Sequence, residues 1–344
     1  MSRTVDWSTL TQKVGEATVI VPCMSFVLFL DLTEDRSMLD FYSRCRDALG
    51  DRLTHYQAEG MNGYSKLNPR ANAMVPTWLT QPRKGKVDYY MSMAAGDPDK
   101  GSTASQLELS LFRRPASEWT GEAKTKELAK RQRAHEENRI IGPRPATMLR
   151  VTLPLDHPLS VAFVEWISNF EILSGDLAFS GYGGFAVNYF GQAARSSIYE
   201  PTQRLLAALL LRHPGLDWDG GGVQPRIVRY QPERQDFRIL TKRVNWINVL
   251  SEQVVAYLGG KAELSARLAS DAAVTVREVG RAVVALAGRE PQFGDIGHRD
   301  FLPQYRHVER VLRPARIDDI DGLGAHFGPA LTNEWLNAFI KEYE

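Results

Sequence analysis

The chain has 344 residues, enough for one large α+β domain or two smaller ones, each with a substantial core. Its 42 basic and 41 acidic residues leave a formal net charge of +1, which excludes steering of the whole molecule onto nucleic acid and a bulk polyanion mimic. Cys23 and Cys45 lack Cys-x-x-Cys spacing and fit two buried thiols in a reducing compartment rather than a disulfide.

Val19 to Leu30 is apolar, but Pro22 interrupts it, Asp6 and Glu16 precede it and no small-residue cleavage pattern follows, so it reads as a buried strand and not a leader. It is also short of the roughly 20 apolar residues a membrane span needs. Met38, Phe41, Tyr42, Cys45 and Leu49 share one face of a helix that Gly50 stops, and Leu53 to Tyr56 starts another strand. Val87 to Met93 and Gln106 to Phe112 alternate as strands, separated by a polar loop, and are expected to pair with the first strand. Glu118 to Arg139 is rich in Glu, Lys and Arg and cannot bury a face of its own, so it reads as a solvated helix or linker, with a partner-contacting arm as the functional alternative. Gly142-Pro143-Arg144-Pro145 marks the boundary between an N-terminal lobe, 1–142, and a C-terminal lobe, 143–344.

The second half opens as the first does. Met148 to Leu153 reads as a strand, Asp156 can cap, Phe163, Trp166, Ile167 and Phe170 line a helix, and Gly175-Asp176 ends it as Gly50-Asp51 ends the earlier one. The shared order suggests divergent strand-helix-strand repeats, with coincidence as the alternative. Gly181-Tyr182-Gly183-Gly184 lacks the lysine and hydroxyl of a phosphate loop and the spacing of a dinucleotide fingerprint, which leaves tight backbone packing or a sheet bulge. Asp217-Trp218-Asp219, followed by three glycines, begins like a calcium loop but offers no third ligand or closing glutamate, so it reads as an exposed loop. Trp218 is then either an interface anchor between two carboxylates or a side chain packed on the parent fold.

Pro225 to Arg238 is polar, broken by prolines, and reads as a surface connection. Trp246, Leu250, Val254 and Leu258 recur every fourth residue and predict a helix that Gly259-Gly260 ends. A short helix with Leu264 and Leu268 follows, then a hairpin of Val274 to Arg277 and Ala282 to Leu286 about Gly280. Asp295, His298 and Asp300 lie within six positions and form the nearest approach to an acid-base or metal cluster, but no distant group completes it; a turn bonding its own backbone is the structural reading. The tail carries Asp318, Asp319 and Asp321 before an amphipathic segment with Trp335, Leu336 and Phe339.

The ordered set Asn245-Trp246, Tyr257-Leu258-Gly259-Gly260, Gly294-Asp295, Tyr305-Arg306 and Leu312 to Arg316 resembles the C-terminal signature of the type VI secretion immunity family, with the resemblance extending from about Phe26 to Arg316. The resemblance implies a cytoplasmic antidote that binds a toxin delivered by a contractile injection machine, in some pairs a nuclease. It brings no catalytic residues, cofactor or metal. The expected architecture is a mixed α+β protein with two sheet-containing lobes packed as one unit. The expected partner is a cognate type VI effector toxin, with no direct nucleic-acid or membrane contact. Asp217, Trp218 and Asp219, then Asp318, Asp319 and Asp321, are the candidate toxin-binding residues. Two other classes compete: a hydrolase or transferase built on Asp295, His298 and Asp300, and a small-ligand module built on the glycine-rich strand.

Overall fold

The computed structural model describes residues 7–30, 35–58, 60–80, 89–97, 108–113, 121–137, 147–174, 178–189, 199–218, 228–234, 236–317 and 328–341. The boundary at Gly142 to Pro145, the Gly175-Asp176 helix stop, Asp219 and the acidic tail with Asp318, Asp319 and Asp321 all lie outside these residues.

The first half contributes β1 (Gln12–Val14), β2 (Ala17–Leu30), α1 (Asp35–Leu49), β3 (His55–Ala58), β4 (Ser65–Lys66), α2 (Pro69–Thr80), β5 (Tyr89–Ala94), β6 (Glu108–Arg113) and α3 (Gly121–Glu136). The second begins with β7 (Thr147–Leu153), α4 (Pro158–Val161), α5 (Phe163–Ser168), α6 (Glu171–Ser174), β8 (Ala178–Tyr189) and α7 (Tyr199–Arg212). It continues with β9 (Val228–Gln231), β10 (Asp236–Ile239), β11 (Ile247–Leu250), α8 (Glu252–Tyr257), α9 (Lys261–Ala269), β12 (Val274–Val279), β13 (Ala282–Ala287), α10 (Pro303–Leu312) and α11 (Pro329–Leu336).

The mixed α+β expectation holds, but the strands do not divide into one sheet per lobe. They form a single 11-stranded antiparallel sheet in the order β12-β13-β11-β8-β2-β7-β6-β5-β3-β4, with β1 added to β2; β9 and β10 pair separately. The reason lies in β2. Its residues are apolar on both pleat faces and buried almost throughout, so it needs a neighbour on each side and a cover on each face. It takes β7 on one side and β8 on the other, both from the second half. Pro22 is tolerated because β1 pairs only as far as Ile20 and β7 begins pairing at Met24, so its missing N–H interrupts neither ladder.

β5 and β6 pair with each other as an antiparallel hairpin, but they reach β2 only through β7, which corrects the expected direct pairing. In both halves a helical crossover joins parallel strands, β2 to β3 and β7 to β8. The first crossover passes three strands and the second passes one, so the two units share chain order without sharing placement in the sheet.

One face of the sheet centre is aromatic. Phe26 of β2 meets Phe163 and Phe170 edge-on, each at 6.3 Å, and Phe41 of α1 meets Phe170 at 5.3 Å. Gly181 and Gly183 of β8 stand opposite Leu28 and Phe26 and leave space for them: a Cβ on Gly181 would sit 2.5 Å from Leu28 Cδ2, and one on Gly183 would sit 3.0 Å from Phe26 Cδ2. The close-packing reading of this strand is therefore the structural one. In the second unit the helix cap is His157, which accepts from the Leu159 N–H at 3.2 Å, and not Asp156.

The expected helix from Trp246 to Leu258 is two elements. Ile247 to Leu250 form β11, inserted between β8 and β13, and the helix starts only after Ser251, whose side chain accepts from Val254 N. A spacing of four is also an even number, so Trp246 and Leu250 share a strand face as readily as a helix face, while Ile247 and Val249 favour the strand. The Gly259-Gly260 stop, the Leu264 and Leu268 helix and the hairpin about Gly280 are all present, with Val279 opposite Ala282. The segment read as a surface connection contains the β9–β10 hairpin, and Tyr230 of β9 donates to Gln132 Oε1 of α3 at 2.7 Å.

Candidate functional site

The connector from β10 to β11, Thr241 to Asn245, is polar in sequence and buried in structure. It runs beside the 313–317 segment: Thr241 N donates to Ala315 O at 2.7 Å and Ile317 N to Thr241 O at 2.8 Å. This places two consecutive cations inside the protein, and each needs acceptors to offset the loss of water. The Lys242 ammonium reaches Asp217 Oδ1 at 2.5 Å, Trp218 O at 2.9 Å and Tyr182 Oη at 3.3 Å, and it lies over the Tyr182 ring at 4.5 Å. Asn245 Nδ2 donates to the second Asp217 oxygen at 2.6 Å. Arg243 donates to Pro214 O and lies over the Trp335 and Phe339 rings at 4.6 and 4.7 Å.

Glu309 of α10 closes the arrangement. It is fully buried, and that burial pushes its carboxyl above the usual carboxylate range, opposed by the nearby charges of Arg316 and Arg243. Its oxygens accept from Arg316 and from Val244 N. Arg316 also donates to Leu336 O at 2.7 Å, tying α10 to α11.

These contacts revise the first candidate triplet. Asp217 is 3% and Trp218 4% exposed, so neither lies in an exposed loop. Asp217 forms an isolated parallel bridge with Ala186 at the end of β8: Val187 N donates to Asp217 O at 2.9 Å and Asp217 N to Phe185 O at 3.0 Å. The carboxylate is held inside because Lys242 and Asn245 arrive 25 and 28 positions later to satisfy it. Trp218 packs on the parent fold.

The Asp295 to Asp300 turn is a backbone device. Asp295 N donates to Asp300 O at 3.1 Å and Asp300 N to Asp295 O at 3.0 Å, while the Asp295 side chain accepts from Gly297 N at 2.9 Å. The same carboxylate accepts two bonds from Arg212, at 3.2 and 2.9 Å, and one at 2.8 Å from His298 Nδ1. Partial burial would raise its pKa, but the bonds from Arg212 and then His298 outweigh that and hold it far below the usual carboxylate range. Behind the turn, burial keeps His213 below the ordinary imidazole range, with its Nδ1 2.7 Å from Gly294 O. Asp300 joins the turn through its main chain. Among the described residues no group of three or more His, Cys, Asp and Glu side chains is placed to hold a metal ion.

The signature positions have interior work. Asn245 binds Asp217, and Trp246 Nε1 donates to Gly288 O at 3.0 Å. The buried Tyr305 hydroxyl accepts from Gln292 N at 3.2 Å, and Arg316 pairs with Glu309. A protein-family model described as type VI immunity for VRR-NUC matches the chain over residues 52–339. The chain belongs to this type VI immunity family. The same fold occurs in the Pseudomonas aeruginosa T6SS protein PA0821, with a TM-score of 0.69 at 17% identity, covering 96% of this chain and 88% of that one. None of the curated proteins matches the chain significantly.

Sequence reasoning about this immunity protein missed Lys242, Arg243, Glu309 and Arg212. A signal existed for the first two. Lys242-Arg243 stands directly before the apolar run Val244 to Leu250, where a solvated cation pair would draw the strand out of the core. Glu309 had the helical spacing of Tyr305, Val308 and Leu312, a core face with one carboxylate in it.

Proposed function

We propose that this immunity protein neutralises a cognate nuclease of the VRR-NUC type by covering its substrate-binding surface, acting in the cytoplasm without turnover, cofactor or metal. The observation that carries this is the family match across residues 52–339, which names both the type VI setting and the nuclease class. The described residues include no helix long and apolar enough to cross a membrane. The Asp295 carboxylate is occupied on both oxygens by structural donors, which favours a scaffolding role over a hydrolase built on Asp295, His298 and Asp300.

In this reading Asp219, Asp318, Asp319 and Asp321 supply local negative charge against basic groups that otherwise hold phosphates. Asp217 and Trp218 support the segment that leads into Asp219 rather than touching the toxin. Protection requires that almost no toxin stays free, so affinity should be nanomolar or tighter, about −12 kcal/mol. Co-expression with a nuclease of the VRR-NUC type from the neighbouring gene, where that gene encodes one, co-purification, and calorimetry of the Asp219, Asp318, Asp319 and Asp321 alanine variants at low and high salt test the reading. Failure of the wild-type chain to bind or protect would overturn it. Turnover by the purified chain that Asp295→Ala abolishes, with the fold intact, would restore the enzyme class.

A further inference from the structure

The two ends of the large sheet differ. At one end stands β4, two residues long and too short to template another chain. At the other stands β12, six residues long, with β13 on its inner side and, among the described residues, no strand on its outer side. Its ladder runs from Val274 opposite Ala287 to Val279 opposite Ala282 without a bulge, and it contains no proline. The charges that could guard such an edge are engaged within the chain: Arg277 pairs with Glu165 at 2.8 Å, and Glu278 with Lys261 at 3.3 Å.

The alternation of an antiparallel ladder decides which backbone groups face outward. Val274 N is taken by Asp271 O at 2.9 Å, and Ala287, opposite Val274, donates its N–H to Trp246 O. Val274 and Ala287 are therefore a non-hydrogen-bonded pair, so Thr275, Arg277 and Val279 spend their groups on β13. Val276 and Glu278 present both N–H and C=O to the open side, and Val274 presents its C=O alone.

A second copy meeting this edge about a two-fold axis normal to the sheet keeps like faces together. Each residue then opposes one that points to its own face, which leaves few registers. Centring on Arg277 or on Glu278 sets that residue against its own mate, like charge on like charge. Centring on Thr275 makes every hydrogen-bonded pair depend on the Val274 N–H, which Asp271 already holds. Centring on Val276 has neither fault. It sets Val276 against Val276, Thr275 against Arg277 and Val274 against Glu278. The two copies of Val276 exchange backbone bonds, and each Glu278 N–H reaches the Val274 C=O of the other copy.

We propose that β12 is a self-association edge: two copies of this chain join antiparallel, centred on Val276, and continue the sheet across the pair. The main-chain bonds supply the attraction, and the half-buried Val276 meets its own copy at the axis. One pair of strands buries less than a standard interface, so the dimer forms and dissociates with concentration. The inference does not rest on the immunity reading.

Sedimentation equilibrium of the full chain tests the dimer, and disulfide trapping tests its register. The mass should rise with concentration from the 38.6 kDa of one chain towards twice that value. Val276→Pro removes an N–H that β13 does not use, so it should keep the thermal midpoint while weakening the dimer at least tenfold. Val276→Lys, which keeps the N–H and sets two ammonium groups against each other, should weaken it as well, so the test survives a misfolded proline variant. Opposed Cα atoms of a hydrogen-bonded pair stand about 5.5 Å apart, within disulfide reach. Val276→Cys should therefore oxidise to a covalent dimer, whereas Arg277→Cys, which opposes Thr275, should not. A chain that stays monomeric up to about 100 μM would overturn the proposal. So would a dimer unchanged by both Val276→Pro and Val276→Lys, or one trapped by Arg277→Cys and not by Val276→Cys. A monomeric wild type whose toxin binding Val276→Pro abolishes would overturn it in favour of a strand supplied by the toxin.

Discussion

Lys242 Nζ lies 2.5 Å from Asp217 Oδ1, with the two side chains 0% and 4% exposed. Asp217, expected in an exposed loop, is thus half of an ion pair buried inside the protein. Removing one partner strands the other charge in the core. Lys242→Met should destabilise the protein by about 3–5 kcal/mol, while replacing both partners with apolar residues should recover much of the loss. Urea denaturation of both single variants and the double variant checks this. A loss of toxin binding on Asp217→Ala then reports folding, so binding data at this position need a stability control.

Gly181 is predicted to tolerate no side chain. Its Cβ would sit 2.5 Å from Leu28 Cδ2 and 2.9 Å from Val27 O, and the second obstacle is backbone in the central strand. Gly181→Ala should cost about 1–3 kcal/mol. Gly183→Ala, whose nearest atoms stand at 3.0 and 3.1 Å, should cost less than Gly181→Ala. Thermal midpoints of the two variants give the order.

Trp246→Ala should cost roughly 3–5 kcal/mol, because the ring is 5% exposed and its removal leaves a cavity. Trp246→Phe keeps most of the packing but abandons the bond to Gly288 O and should cost about 1 kcal/mol beyond its smaller volume change. An unchanged urea midpoint for Trp246→Ala would show that the indole is not part of the core.

The Asp295 turn should loosen in acid. The Asp295 carboxyl is held below its ordinary value in the folded chain, so its contribution is present above the unfolded carboxylate pKa of about 4 and fades as pH falls below that. Arg212 and His298 are mostly exposed, which screens the effect and makes it modest. Asp295→Asn should therefore be less stable than the wild type at neutral pH, with the gap narrowing as pH falls from about 4 towards 2. Urea midpoints across pH 2–7 check the narrowing; a constant gap would assign the stabilisation to the turn's neutral hydrogen bonds instead.

Much of this protein was written locally. The continuous apolar run of β2 forces a central strand, the face of Met38, Phe41, Tyr42, Cys45 and Leu49 forces α1 against it, and Gly259-Gly260, both at positive φ, end α8 and lead into α9. The ordered motifs from Asn245 to Arg316 were enough to indicate the immunity family. Each of these depends on neighbours within a few positions, which is the range over which spacing and propensity act.

The rest depended on residues far apart in the chain. The sequence order of β2, β7 and β8 carries no instruction that the first sits between the other two; burying both faces and both edges of β2 decides it. Helix and strand were confused at Trp246 because a spacing of four satisfies both periods until pairing with β8 and β13 chooses one. Asp217 was placed outside because a carboxylate beside glycines belongs in water unless a cation meets it in the interior, and Lys242 meets it only once the chain has folded back across β8. Charge burial is a property of pairs, and a sequence read from end to end shows only one member at a time.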